Sequence, residues 1–434
     1  MTTGELSAAV ALTPWTGLLP AHRLDGDEQP TGEPVCLEAM DLGGGHWLAV
    51  VADADGATYP VPLVVDGPAV RRARPGDGAA EALLAVLAAG TRRSGGFELV
   101  SWHDEPVTGE HGIEVDQTNE SIVVGAAAVL KWTTQLADSP APAVVSALRE
   151  AGFAGMPRPW GLVRWHPPAG PPLLVASVVA YLPGAVDGWT WALDDLRADV
   201  AAGGGTRLVD AAATVGGLVA DLHAALGTRT TLATMADAVR WAAEAEADLT
   251  TALAVTSGPA HELLDRHARA VRAALSTVAL QAGAPLLTVH GDLHVGQVLR
   301  AGPPEHPTYV VTDFDGSPVV PADERNRPQS AAVDVAGMAQ SLAHVGLVLT
   351  RHEPDSDPAV VTALTDDAVA SFLQAYVAGL ERHGRSSLFE PTLVRAFRLR
   401  QVCREFTYAA THLPRWSYVP EAALPALVQQ GDPR

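Results

Sequence analysis

One stretch, from Leu287 to Pro318, constrains this chain more than any other. It reads LLTVHGDLHVGQVLR, then a short Pro/Gly-rich interruption, then TYVVTDFDGSP. Each half is an apolar, β-like run that ends abruptly in acidic residues, so two buried strands are expected to deliver carboxylates to a common mouth. Asp292 and Gln297 come from the first half, Asp313 and Asp315 from the second. Phosphoryl transfer needs such a set: a carboxylate to orient an attacking hydroxyl, and hard oxygen ligands for Mg²⁺ on a nucleotide such as ATP. His290, Asp292 and His294 also alternate as HxDxH, which raises a metal-dependent hydrolase as a second possibility, although Gly291 suggests a loop and no further His/Cys cluster completes a zinc shell.

The spacing favours the first possibility. Gln297 follows Asp292 at the interval at which a kinase catalytic loop places its metal-binding amide, and Asp313-Phe314-Asp315-Gly316 reads like Asp-Phe-Gly with one residue added. Lys131 strengthens it. It is the only lysine in the chain, every other strongly basic side chain being Arg, and it ends the apolar run IVVGAAAVLKW. A lysine in that position commonly snorkels to solvent. A composition that avoids lysine yet keeps one there points instead to a task for a compact ammonium, such as reaching nucleotide phosphates.

Length and charge narrow the class. The 434 residues suit two or three domains with an ample core, and 47% apolar with 18% charged residues suits a soluble globular chain. A formal charge of −21 argues against nucleic-acid and anionic-membrane partners. Cys36 and Cys403 are far apart and imply neither a disulfide framework nor a zinc site. Glu5 and the lack of an early basic residue argue against a secretory signal, and uncharged runs such as Leu173 to Val186 are short and broken by Pro183 and Gly184. A reduced, cytoplasmic setting without a membrane span is expected.

In chain order, residues 1–105 read as a small α/β cap, with strands at PVCLEAMDL, HWLAVVAD and TYPVPLVV and a helix from Ala79 ending in a Gly cap at Gly90. Residues 106–183 read as an intermediate, β-rich subdomain. Its polar turn, Asp116 to Ser121, stands where a kinase covers the phosphates with backbone N–H groups and small hydroxyls, Ser121 among them, without forming a Walker loop. A plain hairpin turn fits that string equally well taken alone. LLVASVVAYLPG reads as a buried strand running into a hinge, and the backbone before Pro183, at Val179 and Tyr181, is where a kinase holds adenine. Residues 184–434 read as a helical C-lobe, with helices expected over 189–202, 206–226, 231–255, 259–282, 332–350, 359–382 and 391–413. His223 reads as a core residue. The fold class is therefore α+β and bilobal.

Gln401, Glu405, Tyr408 and His412 share one face of the last of these helices, and Trp416 follows it. Acceptors for hydroxyls beside a flat ring suit a carbohydrate site, for which His294 is a further candidate. A polar seam against a neighbouring helix, with Trp416 in the core, suits the same residues equally well.

Taken together, DQTNESIVVGAAAVLKW, YLPGAVDGW, HGDLHVGQVLR, DFDGSP and EFTYAATHLPRWSYVPEAALPAL resemble the maltokinase and glucosamine kinase group of the aminoglycoside phosphotransferase-like kinases. The resemblance spans residues 116–427. It implies a protein-kinase-like fold with an N-terminal cap, Asp292 as catalytic base, Gln297 and Asp313 as Mg²⁺ ligands, and Lys131 on the ATP phosphates, with Asp315 a further candidate metal ligand. Maltokinases typically read DFEGEP where this chain has DFDGSP. The shorter Asp315 and uncharged Ser317 favour a smaller acceptor, and a net acidic cleft would favour a cationic amino sugar. The expectation is ATP-dependent phosphorylation of D-glucosamine to the 6-phosphate, with maltose 1-phosphorylation as the alternative and a non-catalytic sugar or nucleotide sensor as a remote one.

Overall fold

The apolar run WLAVVA becomes a strand, His46–Ala52, buried on both faces. It is the second strand of a four-stranded antiparallel meander of Val35–Gly43, His46–Ala52, Thr58–Asp66 and Ala69–Arg72. Strand periodicity sends alternate side chains to opposite cores. Trp47, Ala49 and Val51 pack with Leu6 and Val10 of the Thr3–Ala11 helix. Leu48 and Val50 pack with Leu83, Leu84 and Leu87 of the Ala79–Ala88 helix. Each such side chain, fully buried, contributes about 1.5–3 kcal/mol, so this strand ties two layers to one sheet. The second helix starts at Gly78 without a side-chain cap of its own. Glu110 supplies the cap from outside, its carboxylate accepting the N–H groups of Gly76, Gly78, Ala80 and Glu81 at 2.6–3.2 Å.

The computed structural model describes residues 1–24, 29–113, 120–303, 305–317, 320 and 322–429. The chain divides into two compact units, Met1–Val145 with Pro157–Pro183, and Ser146–Met156 with Gly184–Arg434. The first unit also holds a seven-stranded sheet in the order Arg92–Ser94, Phe97–Ser101, Pro159–Trp165, Leu173–Ala180, Ala128–Trp132, Glu120–Val124, Glu110–Gly112. In Ala128–Trp132, Ala128, Leu130 and Trp132 face the core, which leaves Val129 and Lys131 on the other face. Lys131 lies opposite Ser121 on one neighbouring strand and Ser177 on the other.

The second unit is mainly helical: Gly188–Ala201, Arg207–Leu226, Met235–Val255, Gly258–Ser276, Ala332–His352, Pro358–Arg382, Leu393–Thr411 and Tyr418–Gln429 are its long helices. Arg207–Leu226 packs on Pro358–Arg382 at close range because Gly216 has no side chain; a Cβ there would lie 2.3 Å from Phe372 O. Arg207–Leu226 and Ala332–His352 are long and apolar enough to cross a membrane by length and composition alone, which the sequence reading of short, broken runs overlooked. Here both are interior helices, Ala332–His352 packing on Pro358–Arg382 and Leu393–Thr411. The molecule is thus an α+β fold with a β-rich N-terminal unit and a mostly helical C-terminal one.

Candidate active site

The loop that carries Asp292 is held from beneath by one buried carboxylate. Asp334, fully buried near the start of the Ala332–His352 helix, accepts the His290 N–H at 2.7 Å and the Gly291 N–H at 2.8 Å. Its Oδ2 also meets His223 Nε2 at 3.1 Å, and His223 Nδ1 takes the Tyr376 hydroxyl at 2.8 Å. Burial pushes the Asp334 carboxyl up, but the His223 hydrogen bond, the nearby imidazoles and the Gly291 N–H outweigh it and hold the group below its ordinary range. Because a side chain rather than a partner strand satisfies these N–H groups, the expected first strand does not form up to Asp292. The strand Pro285–Leu286 ends early, Gly291 adopts φ +82°, and Asp292 sits on a loop.

That loop is tied directly to the second acidic segment. His290 Nε2 donates to Thr312 O at 2.8 Å, while its Nδ1 accepts the Asp292 N–H at 3.3 Å. Both ring nitrogens are thereby engaged, which removes His290 from the HxDxH metal reading. The strands Val298–Ala301 and Thr308–Val311 pair antiparallel, and Thr312 N–H donates to Gln297 O at 2.9 Å. This register sets Asp313 beside Gln297, whose side-chain amide ends 3.5 Å from Asp313 Oδ2. Asp313 adopts φ +66°, a left-handed conformation that costs an L-residue roughly 1–2 kcal/mol. Buried Phe314 anchors the turn against the His290 ring, centroids 5.2 Å apart. Asp315 is half-buried in the same turn. The single-turn helix Val295–Gln297 is capped by His294 and packs so closely on Gly188 that a Cβ there would lie 1.6 Å from Val295 O.

Asp292 is therefore positioned by backbone on both sides. Burial raises its carboxyl above the ordinary range; His294, His290 and a hydrogen bond from Ser317 oppose the rise, and Asp313 adds to it. Gln297 and Asp313 offer one amide and one carboxylate, hard ligands of the kind Mg²⁺ takes alongside water and phosphate oxygens. No group of three His, Cys, Asp or Glu side chains converges among the described residues, so the set fits Mg²⁺ and not a protein-only zinc shell.

The other sequence candidates fall in different places. Lys131 and Ser121 are cross-strand neighbours in the first unit. Val179 lies inside the sheet, paired with Val129 and Pro159, and the Tyr181 N–H donates to Ala127 O at 2.8 Å. The Tyr181 N–H is thus engaged within the first unit. Most of the Asp116–Ser121 turn lies outside the described residues. Gln401, Glu405, Tyr408 and His412 do not form one uniform face. Tyr408 and His412 are exposed, with rings 5.3 Å apart, whereas Glu405 turns inward. Trp416 is half-buried beside Tyr418, centroids 5.8 Å apart.

Glu405 carries its own chemistry. Arg398 Nε donates to Gln340 Oε1 at 3.0 Å, and the Gln340 amide nitrogen then donates to His344 Nε2 at 2.8 Å. That leaves Glu405 Oε2 without a hydrogen-bond partner, 3.4 Å from a nitrogen already used as an acceptor. Burial pushes the Glu405 carboxyl up to about 8. A carboxyl protonated in the fold up to that pH, but only up to about 4.5 when unfolded, withdraws stability as pH rises through that window. The Glu405→Gln variant is expected to raise the Tm by several degrees at pH 8.5 and by much less at pH 5.5, read by calorimetry at both. Parallel melting of both proteins across that range would show that Glu405 is ionised in the fold.

A cavity of about 100 Å³ opens beside the loop, with Gly291, Gly316, Ser317 and Gln401 in its wall. Its charged lining is Arg240, Arg325, Arg327, Arg400 and Arg404 against Glu244 and Glu324. Arginines thus outnumber carboxylates in the lining of this cavity. Three of these arginines are paired with carboxylates outside the lining, Arg400 and Arg404 with Asp248 at 2.6 and 2.9 Å and Arg240 with Asp237 at 2.9 Å.

Sequence reasoning missed Asp334. Its signal was a lone carboxylate in the apolar run AAVDVAGMAQ, a placement that burial tolerates only with several donors. The Tyr376 partner of His223 was missed as well, while His223 itself lies in the core as expected.

No family model matches the chain. It is 49% identical over 403 residues to a glucosamine kinase of Mycolicibacterium smegmatis (strain ATCC 700084 / mc(2)155), covering 91% of this chain and 98% of that protein. A glucosamine kinase of Streptacidiphilus jiangxiensis is 47% identical over 409 residues, covering 92% of each. A solved glucosamine kinase structure (crystal form B) superposes with a TM-score of 0.88 at 42% identity, over 98% of this chain and 99% of that one. Another, in complex with glucosamine, ADP and inorganic phosphate, gives 0.84 at 44% identity, over 97% and 98%. The loop geometry around Asp292 and this end-to-end likeness agree, and the chain belongs to the glucosamine kinase family of the aminoglycoside phosphotransferase-like kinases.

Proposed function

We propose that this protein is a cytoplasmic kinase that transfers the γ-phosphoryl group of ATP to the 6-hydroxyl of D-glucosamine in the presence of Mg²⁺. The observation that carries the proposal is the likeness over nearly the whole chain to a glucosamine kinase solved with glucosamine, ADP and inorganic phosphate. The 6-hydroxyl is the only primary alcohol of the sugar and the least hindered acceptor. In the step proposed, a bond forms between O6 and the γ-phosphorus as the bond from that phosphorus to the β,γ-bridging oxygen breaks. The proton of O6 passes to Asp292, and ADP leaves.

Asp292 orients the hydroxyl and takes its proton late, since phosphoryl transfer runs through a loose transition state and gains most from alignment. Gln297 and Asp313 would hold Mg²⁺, with Asp315 at the turn beside them. When bound, Mg²⁺ neutralises phosphate charge as it moves to the leaving oxygen. Lys131 would meet the phosphates as a point charge, flanked by Ser121. Glu405, with Tyr408, His412 and Trp416 on the same segment, is the proposed sugar side of the site. A buried, protonated carboxyl with a free oxygen is suited to ionise against an ammonium, which maltose lacks. Residues 1–105 would act as a cap, 106–183 as the nucleotide-binding subdomain and 184–434 as the catalytic lobe.

An ADP-release assay over glucosamine, glucose, maltose and an aminoglycoside tests this. Glucosamine is expected to exceed maltose by about 10⁴–10⁵-fold in kcat/KM, the range a site reaches when a buried polar group is left unpaired by the wrong substrate. Turnover of maltose alone would overturn the proposal.

A further inference from the structure

We infer that His294 is a positioning residue: its Nε2–H holds the Gln297 side chain with the amide oxygen, not the nitrogen, turned toward Asp313. This deepens the proposed function and rests on Gln297 and Asp313 being the metal ligands. The argument is one of hydrogen-bond polarity. The Gly296 N–H, an obligatory donor, points at His294 Nδ1 at 3.1 Å. That nitrogen must accept, so in the neutral ring the proton sits on Nε2. His294 Nε2 in turn lies 3.4 Å from the end of the Gln297 amide. An amide nitrogen there would set donor against donor, whereas an amide oxygen would accept. The same amide end lies 3.5 Å from Asp313 Oδ2. With the oxygen in place, two acceptors stand side by side, an arrangement that a cation stabilises and that is unfavourable without one.

The ring has little freedom to choose otherwise. His294 is the N-cap of the Val295–Gln297 turn, and the Val295 N–H is taken by Ser341 Oγ at 2.8 Å. A Cβ on Gly296 would lie 2.9 Å from His294 Cε1 and 2.9 Å from Trp189 Nε1, so the imidazole lies close against the backbone of its own turn, where only a glycine fits. The backbone of the turn thus sets the tautomer, the tautomer sets the amide, and the amide presents an oxygen to the metal position. His294, read from the sequence as a sugar contact, is here assigned to the metal side.

Two substitutions separate the cap from the hold on the amide. His294→Asn keeps an acceptor where Nδ1 stood but has no donor at the Nε2 position. His294→Gln keeps a donor there and loses the cap. With ADP saturating, Mn²⁺ binding is read by electron paramagnetic resonance, and Tm by calorimetry. His294→Asn is expected to melt close to the parent and to bind Mn²⁺ about 10- to 100-fold more weakly, the usual loss when the partner of a metal ligand is removed. His294→Gln is expected to melt lower and to bind Mn²⁺ within about 3-fold of the parent. Unchanged Mn²⁺ affinity in His294→Asn, with Gln297→Ala losing it, overturns the role of His294 alone. Unchanged affinity in Gln297→Ala, or no Mn²⁺ binding by the parent, overturns the metal assignment and this inference with it.

Discussion

Asp292→Asn is expected to lower kcat by about 10²–10⁴-fold, the span attributed to a positioned general base, while ATP still binds. The substitution keeps the shape and one acceptor oxygen, so the glucosamine KM should stay within a few-fold. The amide cannot take the proton, and that loss appears in kcat and kcat/KM equally. A pH profile adds a signed test. Burial raises the Asp292 carboxyl above its ordinary range, so its ionised, competent form is lost as pH falls through that raised value. The parent should show an acid limb in kcat/KM lying above the ordinary carboxylate range, and the residual activity of Asp292→Asn should lack it. An Asn variant with parental kcat would move the proton to another acceptor.

Asp334→Ala is expected to destabilise the protein by about 3–5 kcal/mol, read as a fall in the urea midpoint with an unchanged slope. The carboxylate has zero exposure and serves the His290 N–H, the Gly291 N–H and His223 Nε2 together. Its removal leaves three polar groups buried and unpaired, which is more costly than losing the bonds themselves. Asp334→Asn should lie between, since an amide offers one acceptor and turns a donor toward donors. Tyr376→Phe leaves only His223 Nδ1 buried without its donor and should lose about 1–3 kcal/mol. Activity should fall further than stability in the Asp334 variants, because the His290–Asp292 loop loses its only described backbone anchors on that side. Loss of less than about 1 kcal/mol in Asp334→Ala would show that the loop holds itself.

The helical lobe was legible because its helices are long. The expected spans 189–202, 206–226, 332–350, 359–382 and 391–413 each lie within a few residues of the observed helices. The start at 231 was set too early: Thr231–Leu232 pairs as a short strand with Pro285–Leu286, and Thr234 then caps the helix that begins at Met235. Short apolar runs were less secure. LLTVHGD reads as a strand, yet a carboxylate far along the chain, Asp334, takes its N–H groups, and no local pattern reveals a partner that distant in sequence. At the site, two apolar runs, each with polar or acidic residues at one end, were enough to bring Gln297 and Asp313 together, since the runs pair as strands. The inward turn of Glu405 was not legible, because helical spacing places residues on a face without saying which neighbour that face meets. His344 and Arg398 decide it, one on another helix and the other two turns back on the same one.

The most direct test offers the protein ATP, Mg²⁺ and equal concentrations of D-glucosamine and maltose, and follows the mixture by phosphorus NMR with proton correlation. A single new phosphomonoester coupled to the C6 protons of glucosamine, formed as ATP gives way to ADP, is the expected result. A phosphate on the anomeric carbon of maltose with glucosamine untouched, or no sugar phosphate from either, would contradict the account.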